Sequence, residues 1–174
     1  LTNWHIIPAT ATEDFTAIQQ LYYTTWQATY HHMLPAAYLA TLTPATWQPA
    51  KRWRNTLLAK DVNGTILGVC AYGPARDPKR AGWGELYSIY VLPAEQGQGI
   101  GAALLRAAFT ILRPQFSKLY LNVLAENTHA QHVYRHFGFH NSGPALKTVI
   151  AGGLLTEQKM VSDSASKKEE PYNH

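Results

Sequence analysis

Residues 85 to 101 read Glu85-Leu-Tyr-Ser-Ile-Tyr-Val-Leu-Pro-Ala-Glu-Gln96-Gly97-Gln98-Gly99-Ile100-Gly101. The first eight residues predict a strand, with Glu85, Tyr87, Ile89 and Val91 on one face and Leu86, Ser88, Tyr90 and Leu92 on the other. Both faces are largely apolar, which predicts a central position in a sheet. A glycine turn at 97 to 101 then leads into a helix carrying Ile100, Leu104, Ala108 and Ile111 on one side and stopped by Pro114. Residues 118 to 125 form the next strand, so strand, helix, strand implies a right-handed parallel crossover. Glycines let backbone amides approach an anion, and the helix adds unpaired N–H groups at the positive end of its dipole. A pyrophosphate fits such a turn. Gly97, Gly99 and Ala102 also satisfy the G-x-G-x-x-A dinucleotide pattern, with Glu126 ending the next strand. Against that alternative, four residues from Pro93 to Gln96 separate the strand from the first glycine, and too little chain follows for the remaining strands.

Working outward, Thr10 and Glu13 have capping-box spacing before Phe15, Ile18, Leu21, Tyr22 and Trp26, which predicts a long first helix towards Tyr30 after an entry strand at 5 to 7. Pro35 opens a second short helix over 36 to 42. Asn63-Gly64 between the apolar runs 56 to 59 and 66 to 72 predicts a type I′ hairpin, and 74 to 83 reads as a loop. Thr128 and Gln131 have capping-box spacing for a helix ending at Gly138, and 146 to 151 with 154 to 161 form a last hairpin across Gly152-Gly153. The fold class is α/β, a mixed sheet flanked by helices. Residues 1 to 161 are expected to form one domain and 162 to 174 a flexible tail, small and charged with nothing apolar to bury.

The 174 residues, 46% of them hydrophobic, suit one domain with a sizeable core. No apolar run is long enough for a membrane helix, and residues 1 to 11 lack the order of a signal peptide. The single cysteine, Cys70, lies in an apolar run and fits a reducing cytoplasm. A net charge of +4 and a pI of about 9.2 favour an anionic partner. The basic residues are scattered, in groups such as Lys51, Arg52 and Arg54 or Arg76, Lys79 and Arg80, which suits a phosphate-rich cofactor better than nucleic acid.

Gln96-x-x-Gly99-x-Gly101 resembles the Q/R-x-x-G-x-G/A signature of the GCN5-related N-acetyltransferase (GNAT) superfamily. The preceding strand resembles that family's fourth, and Asn127-x-x-Ala130-x-x-x-Tyr134-x-x-x-Gly138-Phe139 resembles its later helix motif. The likeness spans roughly residues 4 to 161 in element order. It implies a splayed central sheet, acetyl-coenzyme A as co-substrate, and transfer of acetyl to a primary amine by direct attack in a ternary complex. The expected acceptor is a small-molecule or peptide amine, with no metal, nucleic acid or membrane involved and the protein a monomer or homodimer. A non-catalytic acyl-coenzyme A sensor or protein-interaction module on the same fold is the alternative. Where the family prefers a basic residue this chain has Gln96 and Gln98, so phosphate binding would rest on backbone amides of residues 97 to 101: Gly97, Gln98, Gly99, Ile100 and Gly101.

The resemblance assigns the backbone of Ile89, Tyr90 and Val91 to the pantetheine arm and the acetyl carbonyl. It assigns Asn127 to the pantetheine region and Tyr134 to protonation of the departing thiolate. Seven residues separate those two, nearly two helical turns, which points both to one face. Glu85, fourteen positions before Gly99, matches the general-base glutamate of the histone acetyltransferase branch. Trp26, Tyr30 and Tyr38 are candidates for the acceptor pocket, with Met33 and Trp83 beside them. His132 and His136 share a helix face near His129, but no third ligand class accompanies them and no metal is expected. Cys70 has no base beside it in sequence, which disfavours a covalent acyl-enzyme.

Overall fold

A computed structural model of the chain describes residues 3 to 163. Strand β1 (Trp4–Pro8) is followed by helix α1 (Phe15–Tyr30), a short helix α2 (Ala36–Leu39) and three single-turn 3₁₀ segments between Pro44 and Asn55. Strands β2 (Thr56–Asp61), β3 (Ile66–Pro74) and β4 (Gly84–Val91) lead to helix α3 (Ile100–Leu112) and strand β5 (Lys118–Leu124). Helix α4 (Thr128–His136), a two-residue strand β6 (His140–Asn141), and the hairpin β7 (Leu146–Ile150) and β8 (Gly153–Asp163) complete the order.

The sheet runs β1-β2-β3-β4-β5-β8-β6, with β7 paired to β8. Every pairing is antiparallel except β4 with β5. That parallel junction holds only at Gly84↔Leu119 and Glu85↔Tyr120, beyond which the strands diverge. The sheet is therefore mixed and splayed at its centre, as expected. Helices α3 and α4 cover one face: Ile100, Leu104, Phe109, Phe137 and Phe139 pack into a cluster with Leu57, Leu86 and Leu121. Helix α1 covers the other, its Ile18, Leu21 and Tyr22 packing on Leu58 and Val69. A third cluster, around Tyr30, Leu34 and Leu39, draws in Tyr90 from β4 and Leu124 from β5, so it bridges the two walls of the splay.

Several local expectations change. Helix α1 is capped by Asp14, whose Oδ1 accepts from the Ala17 N–H; Glu13 instead holds Thr10 in the preceding turn and pairs with Lys60 at 2.5 Å. Asp14, one residue closer to the apolar periodicity, places its carboxylate on the third helical amide. At α4 the cap is likewise Asn127, accepting from Ala130 N–H at 3.2 Å, while the Gln131 amide donates to the Leu124 and Ala125 carbonyls. Helix α2 stops at Leu39. The Asn63-Gly64 hairpin is not type I′, because among the described residues only glycines have positive φ. Gly64 alone takes the left-handed position, and Asp61 fixes the turn by accepting from the Asn63 and Thr65 amides. Strand β8 also carries on through Ser162 and Asp163, paired with Leu119 and Lys118, two residues past the expected boundary. The remainder of the expected tail lies outside the described residues.

The alternation along β4 breaks too. Leu86 lies in the α3 cluster together with Ile89 and Val91, three and five residues on. A register shift explains it: Ala71 pairs with Ser88 and Tyr72 with Leu86, leaving Tyr87 as an extra residue.

Candidate active site

Beyond Glu85, the edge of β4 that faces β5 has no strand partner. Leu92 donates its N–H to Leu67, so alternation turns the polar groups of Tyr90 towards β3 and those of Ile89 and Val91 to the open edge. Of the three backbone positions expected to meet a cofactor, two therefore face the gap; Tyr90 contributes its side chain instead, its hydroxyl 3.2 Å from that of Tyr30. At the mouth of the gap Gly97 and Gly99 both have left-handed φ, +86° and +85°. Gly99 is the α3 N-cap, and the first helical bond runs from Ala103 N–H to its carbonyl, so the amides of Ile100, Gly101 and Ala102 have no helical acceptor. Ile100's side chain is buried in the core, leaving its N–H to the turn. Gln96 donates to the Val91 carbonyl and Gln98 to Glu95, so both tie the loop to itself.

On the far wall stands α4. Asn127 spends its side-chain oxygen on the cap, which leaves its amide N–H groups for a ligand. Tyr134 is half-buried against the α3 cluster, with its ring 6.4 Å from that of Phe139. Its hydroxyl makes no hydrogen bond among the described residues and lies near the phenols of Tyr30 and Tyr90. Burial pushes this phenol well above its ordinary range, so it stays protonated at any physiological pH.

Glu85 sits at the apex of the splay with a side chain only 2% exposed. One oxygen accepts from the Arg76 backbone N–H at 2.9 Å and the Tyr120 hydroxyl at 2.6 Å; the other accepts from Arg76 Nε at 3.2 Å and Nη2 at 2.7 Å. Burial pushes the carboxyl up, but these bonds outweigh it and hold the group below the ordinary carboxylate range. Tyr120 is pushed up to about 12 by burial and by Glu85. A carboxylate that holds on to four donors and resists protonation is a poor proton acceptor. Its evident effect is to fix Arg76, whose guanidinium lies 4.3 Å above the Tyr87 ring.

A cavity of about 400 Å³ opens on the α1 side of β4. Tyr22 and Trp26 of α1 wall it opposite Tyr87, Ser88 and Tyr90 of β4. Trp47, Lys51, Arg52 and Arg76 close the rim. The Tyr22 hydroxyl is 2.9 Å from Ser88 Oγ, and Trp26 packs edge-on against Tyr30 with centroids 4.7 Å apart. Of the aromatic residues expected at an acceptor pocket, Trp26 lines the cavity, Tyr30 touches it through Tyr90, and Tyr38 packs instead in the third cluster. Met33 joins Tyr38 there, and Trp83 packs on Tyr120 away from the cavity. Arg52, Arg76, Trp47 and Tyr22 were not singled out as site residues in the sequence. The only signal was their membership in basic or aromatic groups, because the contacts that unite them, such as Arg52 with Tyr87 and Tyr22 with Ser88, join segments far apart in the chain. His132 and His136 touch through Nε2 atoms 3.3 Å apart, and among the described residues no group of three or more His, Cys, Asp or Glu is placed to hold a metal. Cys70 is fully buried and its thiol pushed up by that burial.

The acetyltransferase (GNAT) family model matches residues 15–139. The chain is 32% identical over 119 residues to the uncharacterized N-acetyltransferase YuaI of Bacillus subtilis (strain 168), covering 66% of this chain and 69% of that protein. Its fold matches the PaiA N-acetyltransferase of Thermoplasma acidophilum, solved in complex with coenzyme A, at a TM-score of 0.72 and 18% identity, over 93% of this chain and 99% of that one. It also matches YncA of Salmonella typhimurium, solved with acetyl-CoA, at a TM-score of 0.72 and 19% identity, over 98% and 99% of the two chains.

Proposed function

Because the chain belongs to the GNAT acetyltransferase family, we propose that it moves an acetyl group from acetyl-coenzyme A to a primary amine by direct attack in a ternary complex. The observation that carries this reading is the parting of β4 and β5 after Glu85 and Tyr120, which leaves the half-buried polar edge of Ile89 and Val91 without a strand partner, only the Val91 carbonyl being taken, by the Gln96 side chain. Unpaired buried backbone groups are costly, and a ligand that bonds to them removes the cost. The pantetheine arm takes this edge, and the amides of residues 97 to 101 take the pyrophosphate. The acetyl group supplied by the co-substrate is the electrophile. A backbone N–H on the open edge donates to its carbonyl oxygen, where negative charge develops.

Tyr134 is the general acid. Its phenol is protonated and free of hydrogen bonds among the described residues, so it is available to the sulfur as the carbon–sulfur bond breaks. Glu85 acts as a positioning residue through Arg76, and the attacking amine loses its proton to water. The buried Cys70 thiol is excluded as a nucleophile by its position in β3 and by its raised proton affinity.

Steady-state kinetics with both substrates varied test the ternary complex. Intersecting lines are expected; parallel lines would indicate an acyl-enzyme. Coenzyme A binding with no product from any of a broad panel of amines would favour the sensor alternative.

A further inference from the structure

The cavity beside Ser88 and Tyr90 is charged in one sense. Three basic side chains, Lys51, Arg52 and Arg76, line it, and no carboxylate does. Arg76 is already neutralised by Glu85 behind it, whereas Lys51 and Arg52 have no acidic partner among the described residues. Two guanidiniums flank one ring: Arg76 lies 4.3 Å and Arg52 5.4 Å from the Tyr87 centroid. Tyr87 itself cannot easily move, since its hydroxyl donates to the Pro74 carbonyl and Gly73 leaves no spare room beside it. Arg76 spends Nε and Nη2 on Glu85, which leaves its Nη1 and the whole Arg52 fork to an anion in the cavity, and a planar carboxylate matches that fork. Tyr22, Trp26 and Trp47 add aromatic walls, with neutral polar groups such as Thr46, Gln48 and Ser88 among them. At about 400 Å³ the space falls in the range typical of small-molecule sites.

We propose that the acceptor is a small amine bearing a carboxylate, with Arg52 and Arg76 holding the carboxylate and Tyr22, Trp26 and Tyr87 enclosing its apolar body. The assignment rests on the acetyl transfer proposed above and names its substrate class. Polyamines and aminoglycosides are disfavoured because each added cation would meet Lys51, Arg52 or Arg76 with no carboxylate to pair with. In the reaction the neutral amine nitrogen bonds to the acetyl carbon and gives its proton to water. The carbon–sulfur bond breaks, and the thiolate takes the Tyr134 proton, which solvent replaces. The products are the N-acetylated acid and coenzyme A.

Matched pairs test it: L-phenylalanine against its carboxamide, and 4-(aminomethyl)benzoate against 4-(aminomethyl)benzamide, with spermidine as polycation. Binding to the coenzyme A-loaded protein is measured by calorimetry, and coenzyme A release is followed with acetyl-coenzyme A present. At least one acid should bind, and its KM should be at least about tenfold below that of its amide. Arg52→Gln should collapse that preference, and Lys51→Gln should weaken it. Both residues are exposed, so neither change leaves a buried charge unpaired, as Arg76→Gln would with Glu85. An acid that binds through Arg52 yet yields no product would sink the transfer reading and leave the ligand assignment standing. Failure of both acids to bind, or amides or spermidine reacting as well as the acids, overturns the assignment whatever becomes of acetyl transfer.

Discussion

Tyr134 combines a packed ring with a hydroxyl that has no partner among the described residues, so its two contributions separate cleanly on substitution. Tyr134→Phe keeps the ring contacts with the α3 cluster and removes only the hydroxyl proposed as the acid. Turnover should fall by about 10² to 10⁴-fold, with the melting temperature and acetyl-coenzyme A binding close to those of the parent, measured by single-turnover kinetics and thermal shift. Because burial raises this phenol's proton affinity, any alkaline decline in rate below pH 9 should persist in the variant, having another origin. Glu85 stands at the opposite extreme, with every lone pair engaged in a site closed to water. Glu85→Ala leaves Arg76 and the Tyr120 hydroxyl without their acceptor and should cost about 3 kcal/mol in denaturant unfolding. The candidate catalytic tyrosine was legible from its motif. The occupation of Glu85 was not, because Arg76 and Tyr120 lie 9 and 35 positions away and only the β4 to β5 register makes them neighbours.

Elements position these residues through two close approaches. At the start of α3, Gly99 holds φ +85° and ψ 7°, a conformation that costs an L-residue about 1 to 2 kcal/mol. A side chain there also adds bulk to the turn proposed to hold the pyrophosphate. Gly99→Val should stay folded, with a slightly lower melting temperature, and lose the stabilisation that coenzyme A gives the parent protein; an undiminished shift would place the pyrophosphate elsewhere. At the start of β4, a Cβ on Gly84 would come within 2.7 Å of Leu119 and Phe116 side-chain carbons. Gly84 is one of the two pairs in the parallel junction, so Gly84→Ala should destabilise by about 1 to 3 kcal/mol and open the splay at its apex. Chemical denaturation reads the first effect, and loss of acetyl-coenzyme A affinity reads the second. Strand, turn and helix were all predictable from local pattern, but the bulge at Tyr87 was not. It arises from pairing with β3, and it turns Leu86 into the α3 core while Tyr87 and Ser88 line the cavity.

Across the molecule, two carboxylates tie distant segments together. Glu13 links the entry to α1 with Lys60 on β2, and Glu85 links β4 to β5 and to the loop carrying Arg76. Burial raises both, and their hydrogen bonds lower both further, so each ends below the ordinary glutamate value of 4.5. A depressed folded-state value contributes stability that is complete above the unfolded value and lost as pH falls through the folded one. The melting temperature should therefore hold down to about pH 5 and drop below about pH 4.5, with a shallower drop in Glu85→Gln, as a thermal scan against pH will show. The sequence by itself determined the family, the mixed sheet, the parallel crossover and the glycine turn, because each is written in residues close together in the chain, where propensity and backbone freedom act directly. The caps moved, from Thr10 to Asp14 by four residues and from Thr128 to Asn127 by one, because several neighbouring side chains can reach the first helical amides. Tertiary structure alone decided what surrounds the reaction. It brought Arg52, Arg76 and Tyr87 onto one platform and set Tyr30 of α1 against Tyr90 of β4. It also locked Glu85 behind Arg76. Side-chain contacts between segments tens of residues apart leave no periodic trace in the chain, since they depend on sheet register and on which face each helix covers.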